Sequence, residues 1–362
     1  MSESATASAP AKTQPKAKKN RLSSGFFRFV LTRFLLIIPT VFILVTIVFF
    51  VMRATGDPIS AAMGGRLTPE ELQRRIHAAG YDRPLVVQYL DYLGGLLRGD
   101  LGTTLTDNQP VTTILTRYGA ATFELAFLSL IVALIVGIGL GRLAARRRDH
   151  AADAGIRVFA ILCYATPVFF LGLMLKLVFA VWLNVLPPSG RSSFASDVQF
   201  QRLVSPTGFY IIDAFQLGDM SVLVDVLRHA VLPALALGLL TAGVFIRLVR
   251  TNVISTYTSG YVEAARSRGV SEGRLLSKHA WRPAMIPIIT VMGMQIALML
   301  AGAVLTETTF EWKGLGFMLS QYLKQRDFVA VQGIVILIAI IVAVVNFIVD
   351  VISALIDPRV RY

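Results

Sequence analysis

Residues 260–274 read GYVEAARSRGVSEGR and form a polar passage between two apolar runs, each long enough to cross a membrane. Good helix formers occupy positions 261–268, and Gly269 is suited to end a helix because glycine tolerates positive φ. Ser271 can cap a second helix, which we expect to run until Pro283 interrupts it. The passage therefore predicts two short helices joined at a corner, a shape that suits docking to another protein.

The composition is that of a membrane protein, with 55% hydrophobic and 16% charged residues. Six apolar runs approach or exceed the roughly 20 residues that cross a hydrocarbon core of about 30 Å. They are 34–52, 119–141, 158–183, 230–249, 284–306 and 331–355. The sequence predicts an all-α polytopic membrane protein with six transmembrane helices.

The net charge of +13 is distributed in a way that argues against nucleic acid as a partner. Basic residues concentrate before the first span, after the second, between the fourth and fifth, and after the sixth. All four segments fall on the same side if six spans alternate, which is the positive-inside pattern. We therefore expect both termini to be cytoplasmic and the basic segments to lie near membrane lipids.

These features divide the chain into segments. Residues 1–24 lack apolar periodicity and predict a disordered basic cytoplasmic arm. The first transmembrane helix, 25–53, is interpreted as an uncleaved anchor because its apolar run exceeds a signal-peptide h-region of about 7–15 residues. An external domain, 54–118, precedes a five-helix core, 119–356, with an external loop at 184–229 and a cytoplasmic loop at 250–283. Residues 357–362 form a cytoplasmic tail.

Three polar residues in or near the spans are candidates for contact with a transported solute. Glu124 should face protein or water, because an acidic residue at full membrane depth costs about 2.5–3.5 kcal/mol on insertion scales. Lys176 is open to two interpretations: it snorkels or forms a structural pair, or it lines a pathway. Gln295 lies among small residues that suit either close helix contacts or a central pathway.

Two further features of the sequence predict helix packing and the placement of an aromatic side chain. Gly137 and Gly141 form a GxxxG face that allows a neighbouring helix to approach closely. Trp312 follows the fifth span and is placed like an anchor at the membrane interface.

Several strings resemble one transporter family. Glu263-Ala264-Ala265, followed after three residues by Gly269, resembles the EAA loop of ABC importer permeases. The strings at 81–89, 99–104 and 307–316 resemble the B-type permease of dipeptide and oligopeptide importers. Where the general motif continues to I-x-L-P, this chain has residues 279–282, HAWR, with proline following at 283.

The resemblance implies a type I ABC importer permease fold in a prokaryotic cytoplasmic membrane. It implies that the EAA helix is a coupling helix, and the residues that would contact an ATPase are Tyr261, Glu263, Ala264, Ala265, Arg266 and Gly269. The implied partners are a second homologous permease, one or two ABC ATPase subunits and an external substrate-binding protein. This chain would bind no cofactor, with ATP and Mg on the ATPases. Short peptides are the family's usual cargo, and relatives carry haem, nickel chelates or glutathione.

The sequence offers no catalytic constellation, so the chain is not expected to be an enzyme. Cys163 is the single cysteine, the four histidines lie in unrelated segments, and no GxxxxGK[ST] phosphate loop occurs. Two alternatives to a permease subunit remain. A secondary transporter driven by an ion gradient would bring inverted repeats and several ionisable groups at mid-membrane. The second alternative is a non-transporting membrane scaffold or receptor, which would not explain the two short helices joined at a corner in residues 260–274.

Overall fold

The computed structural model describes residues 21–65 and 67–356, and within them one isolated bridge, Thr103 to Pro110, accompanies an otherwise helical architecture. Residues 1–20 of the predicted arm and the tail 357–362 lie outside the described residues, whereas residues 21–24 belong to the first helix. The helices of this part of the chain are α1 (Arg21–Ala54), α2 (Pro58–Met63), α3 (Pro69–Ala78), α4 (Leu85–Leu97), α5 (Val111–Arg146), α6 (Ala151–Ala165), α7 (Val168–Leu175, continuing as a π-helix, Lys176–Trp182), α8 (Phe194–Phe200), α9 (Tyr210–Leu217), α10 (Met220–Tyr257), α11 (Gly260–Ser267), α12 (Glu272–Arg274, continuing as a π-helix, Leu275–Ala280), α13 (Trp281–Phe310), α14 (Leu315–Lys324) and α15 (Phe328–Ile356).

Four of the described helices, α1, α5, α10 and α15, are long and apolar enough to cross a membrane. Two more crossings result if two bent segments each count as one span: α6 with α7, and Glu272–Met285 with Pro287–Leu300, whose bend lies within α13 at Pro287. The bends are 108° and 45°. The all-α membrane architecture predicted from the sequence is therefore confirmed, with four to six apolar crossings.

The third apolar run, 158–183, is not the continuous span that we predicted. The helix stops at Ala165, Thr166 is extended with ψ 127°, and α7 begins after Pro167. Proline lacks an N–H and disfavours helical geometry in the residue before it. The chain therefore turns by 108° at this point instead of crossing as one straight helix.

The fourth span begins earlier than predicted, because α10 starts at Met220 and continues through Pro233. The side chain of Asp219 caps it by accepting from the backbone N–H of Ser221 at 2.8 Å. The first turns of α10 bury Val222 and Val226 in a cluster with the short helices α8 and α9. This cluster explains why the end of the predicted external loop is helical.

Two contacts between residues far apart in the sequence show which loops lie together at each end of the helix bundle. At one end, Arg250 near the end of α10 donates to Asp153 at the start of α6, with Nε–Oδ1 at 2.6 Å. At the other, Asp327 before α15 accepts from the backbone N–H groups of Leu105 and Thr106. We call the end that carries residues 147–150 and 258–271 the corner end. The end that carries residues 55–110, 183–219 and 311–327 is the cap end.

The predicted GxxxG face on α5 packs against α10. A Cβ at Gly137 would lie 2.5 Å from the Cβ of Phe245, and one at Gly141 would lie 2.7 Å from the Cβ of Val249. Both distances are shorter than any real contact between carbon atoms, so only glycine permits this approach. The numbering rises together on the two helices, which therefore run parallel from the cap end to the corner end.

The first and last long helices pair beside this core and run in opposite directions. Arg33 on α1 forms an ion pair with Asp350 on α15, with Nη1–Oδ2 at 3.3 Å. At the cap end, α4 lies against α1, where the hydroxyls of Tyr89 and Thr46 are 2.6 Å apart and Tyr92 stacks on Phe49. The short cap-end helix is thus held by aromatic contacts.

Replacing Gly137 with alanine should destabilise the protein, because the new methyl group overlaps Phe245. Overpacking of this kind costs about 1–3 kcal/mol, and we expect a lower thermal unfolding midpoint for the detergent-solubilised chain. Gly139→Ala is the matched control, since it lies on the same helix and an added Cβ there meets nothing within 4 Å. Equal midpoints for the two variants would contradict close α5–α10 packing.

Candidate functional site

The corner end presents α11 as a short helix with one buried and one open face. Ser259 occupies its N-cap position, and Val262 is fully buried beneath it. Tyr261 is 50% exposed, and Glu263 and Ala264 are also exposed. The EAA residues thus lie on the short helix that the sequence predicted, with Val262 buried and the opposite face exposed, and their contact with an ATPase stays a prediction.

The turn after α11 depends on the backbone conformation of Gly269. Its φ is +80°, and its N–H donates to the carbonyl of Arg266 at 2.9 Å. The N–H of Val270 donates to Ala265 O at 3.3 Å, which completes a C-terminal cap. A Cβ at Gly269 would meet nothing within 4 Å. Glycine is therefore required here because the backbone is left-handed, and not because a side chain would collide with neighbouring atoms.

A brace across this turn was not predicted from the sequence. Arg266 Nε donates to Glu272 Oε1 at 2.7 Å, and the Tyr257 hydroxyl donates to the other carboxylate oxygen of Glu272. The guanidinium carbon of Arg266 also lies 5.0 Å from the ring centroid of Tyr257. The hydrogen bonds to Glu272 and Tyr257 raise the pKa of Arg266, which keeps it charged. Together these contacts connect α11, α12 and the end of α10 across the turn.

The prediction that Pro283 ends the second helix of the corner is wrong. Glu272–Arg274 continues as a π-helix, Leu275–Ala280, and then directly as α13. Pro283 lies inside this continuous helical run, so its missing N–H removes one intrahelical hydrogen bond without ending the helix. Ser271 occupies the predicted N-cap position, although its side chain makes no capping hydrogen bond. The corner is therefore joined without a break to a crossing helix.

Glu124 faces protein, as expected, and is held in a buried ion pair at the cap end. Arg191 Nη2 donates to Glu124 Oε2 at 2.6 Å, and the N–H of Ile211 donates to Oε1 at 2.8 Å. The Glu124 and Arg191 side chains are 4% and 8% exposed. The Arg191 guanidinium carbon lies 3.7 Å from the ring centroid of Tyr210. Both carboxylate oxygens of Glu124 therefore tie the predicted external loop to α5, and its contact with a solute stays a prediction.

A second buried carboxylate, which we did not predict, organises the loop after α13. Glu307 is fully buried and accepts from the hydroxyl of Thr122 at 2.7 Å and from the N–H of Phe317 at 2.9 Å. A Cβ at Gly314 would lie 2.5 Å from Glu307 Oε1, so glycine is needed to admit the carboxylate. The Glu-Gly pattern in residues 307–316 is the one local signal for this arrangement.

The prediction that Trp312 anchors the chain at the membrane interface is wrong. Trp312 is fully buried, and its indole N–H donates to the backbone carbonyl of Ala121 at 2.9 Å. Burial of a large ring whose polar N–H finds a partner is the usual way in which tryptophan enters a core. Trp312 therefore fastens the loop after α13 to α5.

The other two candidate residues lie apart from Glu124. Lys176 Nζ donates to the carbonyl of Thr309 near the end of α13 at 2.9 Å, and lies 5.6 Å from the ring centroid of Phe310. This geometry favours the structural-pair interpretation of Lys176. Gln295 lies half-buried on α13, and its neighbour Gly293 packs against Val349 of α15. The candidates are not brought together into one site.

Removing the carboxylate of Glu124 should destabilise the cap end, because Arg191 is left buried and unpaired. Breaking a buried pair in this way costs about 3–5 kcal/mol. We expect Glu124→Leu to lower the thermal unfolding midpoint strongly, and the double variant Glu124→Leu with Arg191→Leu to recover part of the loss. Asp82→Asn, which breaks an exposed pair with His77, should have little effect. A double variant no more stable than the single one would count against the buried pair.

Comparison with known proteins identifies the family of the chain. The family model described as "Binding-protein-dependent transport system inner membrane component" matches residues 137–362, and the corresponding N-terminal model matches residues 26–125. The chain belongs to this family. It is accordingly a multi-pass inner-membrane permease subunit and not an enzyme.

Similar proteins include peptide permeases. The di/tripeptide transport system permease of Pseudomonas aeruginosa strain UCBPP-PA14 is 37% identical over 92% of this chain and 98% of its own length. The dipeptide transport system permease of Escherichia coli K12 is 37% identical over 92% of this chain and 99% of its own. The glutathione transport system permease of Salmonella choleraesuis strain SC-B67 is 31% identical over 92% of this chain and 99% of its own length.

Proposed function

We propose that this chain and a second homologous permease enclose a pathway for short peptides in an ATP-driven importer. The support is its 37% identity, over nearly its whole length, to the di/tripeptide and dipeptide permeases. An external binding protein delivers the peptide. ATP and Mg²⁺ are held by one or two ABC ATPase subunits, and this chain binds neither.

The corner end faces the cytoplasm in this proposal. It carries a high density of arginine, including Arg142, Arg146, Arg147, Arg148, Arg247, Arg250, Arg266, Arg268 and Arg274. Positive charge in short loops favours the cytoplasmic side of a membrane. Both termini then lie in the cytoplasm, and the cap end faces the binding protein.

Coupling runs through α11, whose open face suits a groove on an ATPase. Tyr261 and Glu263 offer an aromatic ring and a carboxylate, and the small side chains of Ala264 and Ala265 let another surface approach closely. The brace from Arg266 to Glu272 transmits a push on α11 into α12 and α13. Because the coupling free energy is reciprocal, docking of the loaded binding protein favours the closed ATPase state.

In this proposal, residues at the cap end and on α13 contact the solute and select it. A cavity of about 650 Å³ at the cap end is bordered by Arg191, Arg117, Lys313, Asp197 and Glu311, so it presents both signs of charge. Glu124 acts there through Arg191. Gln295 of α13 lines the proposed pathway, whereas Lys176 of α7 supports it through its contact with the carbonyl of Thr309.

The function is tested by reconstituting the chain with its co-purified subunits in liposomes and measuring uptake of a labelled dipeptide. Uptake should require ATP hydrolysis, the binding protein, a second permease and the ATPases. Uptake by the chain alone, driven by an ion gradient, would overturn the proposal in favour of a secondary transporter. Preferential uptake of glutathione would retain the importer and change the cargo.

The corner turn gives a variant that tests the docking step. Gly269→Val should weaken ATPase recovery in a mild-detergent pull-down about tenfold, because left-handed backbone costs an L-residue roughly 1–2 kcal/mol. Gly273→Val is the control, since Gly273 has no positive φ and an added Cβ there meets nothing within 4 Å. Equal ATPase recovery from the two variants would contradict a role for this turn in docking.

A further inference from the structure

A cavity of about 330 Å³ lies at the cap end between α1, α4 and α15, apart from the corner and from the cluster around Glu124. Its volume is at the lower end of the range of small-molecule sites, which begins at about 300 Å³. Polar side chains from each surrounding element line it. They are Arg53 of α1, Gln88, Asp91 and Tyr92 of α4, Asp100 of the following loop, and Gln332 of α15.

Three of these side chains present hydrogen-bond donors that the protein does not use. Arg53 Nε, the Tyr92 hydroxyl and Gln332 Nε2 are buried; Arg53 Nε has no hydrogen-bond partner among the described residues, and the Tyr92 hydroxyl and the Gln332 amide have none there except each other. Gln332 is 8% exposed. Burial raises the pKa of Tyr92, so its hydroxyl keeps the proton. Buried donors without partners cost folding free energy, and an oxygen-rich ligand removes that cost.

The donor Arg53 is held in place before any ligand arrives. Its guanidinium carbon lies 4.4 Å from the ring centroid of Tyr81 and 5.2 Å from that of Phe49. A guanidinium stacked between rings keeps its N–H groups free for planar recognition of a carboxylate. One wall of the cavity is therefore positive and rigid.

Acceptors line the same cavity. Gln88 Nε2 donates to the carbonyls of Tyr81 and Arg83, which fixes the amide, while Gln88 Oε1 is buried without a partner among the described residues. Asp91 accepts from Arg83 at 3.3 Å, and Asp100 accepts from the N–H of Gly102 at 2.8 Å, each through one carboxylate oxygen. The acceptors suit an ammonium group.

The position of the cavity on α4 favours a ligand from water over a lipid. Gln88, Tyr92 and Gly95 form one stripe of the helix at i, i+4 and i+7. The exposed apolar residues Val86, Leu90 and Leu97, which are 67%, 60% and 89% exposed, form a stripe on the opposite side. A lipid covering that apolar face does not meet the cavity.

We propose that this cavity binds a small zwitterion, an amino acid or short peptide, as a second site outside the proposed pathway. The carboxylate is held by Arg53, Tyr92 and Gln332, and the ammonium by Gln88, Asp91 and Asp100. The ligand class follows from the donors and acceptors alone. It does not depend on the chain being a peptide importer.

The test is equilibrium dialysis of labelled alanylalanine against the full chain, purified with its partner subunits in nanodiscs and without the binding protein. Alanylalanine amide, which lacks the carboxylate, and N-acetyl-alanylalanine, which lacks the ammonium, should each compete at least about tenfold more weakly. Arg53→Gln and Gln332→Glu should weaken alanylalanine binding to a similar degree. In the second variant, the introduced carboxylate pairs with Arg53 and competes with the carboxylate of the peptide.

Arg98→Gln is the matched control, since Arg98 lies beside the cavity but its Nε donates to Gly94 O at 2.9 Å. Thermal unfolding midpoints near that of the unaltered chain identify variants that fold. Should Gln332→Glu not fold, Arg53→Gln and the two modified peptides carry the test. Absence of binding to the unaltered chain, or equal binding by folded variants and control, overturns the proposal. ATP-driven uptake on the same preparations reports separately on the importer function.

Discussion

The close packing of α5 against α10 is the contact on which both ends of the molecule depend. Gly137 and Gly141 bring the helix axes together, and from the α10 side a Cβ at Gly238 would lie 2.7 Å from Ser129 O. Gly243 of α10 allows a similarly close approach to α6, because a Cβ at Gly243 would lie 2.6 Å from Ala160 O. Without a hydrophobic driving force between helices in lipid, such close contact is what holds a bundle together. The α5–α10 pair is therefore the frame to which the corner and the cap attach.

The two ends use this frame differently. At the cap end, buried carboxylates on α5 and α13, Glu124 and Glu307, accept from backbone N–H groups in the first turns of the short helices α9 and α14 and so fix these helices against the bundle. At the corner end, the charged contacts of α11 are exposed, and one buried side chain, Val262, anchors the helix. Exposed ion pairs contribute little stability, whereas buried pairs are costly to break. The cap end is therefore held by buried polar contacts, whereas the charged contacts of the corner end are exposed.

Local features of the fold could be predicted from the sequence, and pairings between distant residues could not. The turn at Gly269 and the close approach at Gly137 follow from rules about a single residue type. Glu124 was expected to face protein, yet nothing in the chain identifies Arg191, 67 residues away, as its partner. The burial of Trp312 depends on a carbonyl 191 residues away. A proline in a span was recognised, but the 108° turn that the chain makes there was not predicted.

Continuity of the helices then decides how a push at the corner is carried. Helix α10 has 38 residues, a length of about 57 Å at 1.5 Å per residue, and it reaches from the cap-end cluster around Val222 to Tyr257 in the corner brace. The corner is also continuous with α13 through the π-helix, so Glu272 connects two crossing helices at one point. A displacement of α11 therefore reaches α10 through Tyr257 and α13 through Glu272. At their far ends these helices carry residues that hold the cap, so in the proposed coupling a displacement at the corner would reach the cap through these two helices.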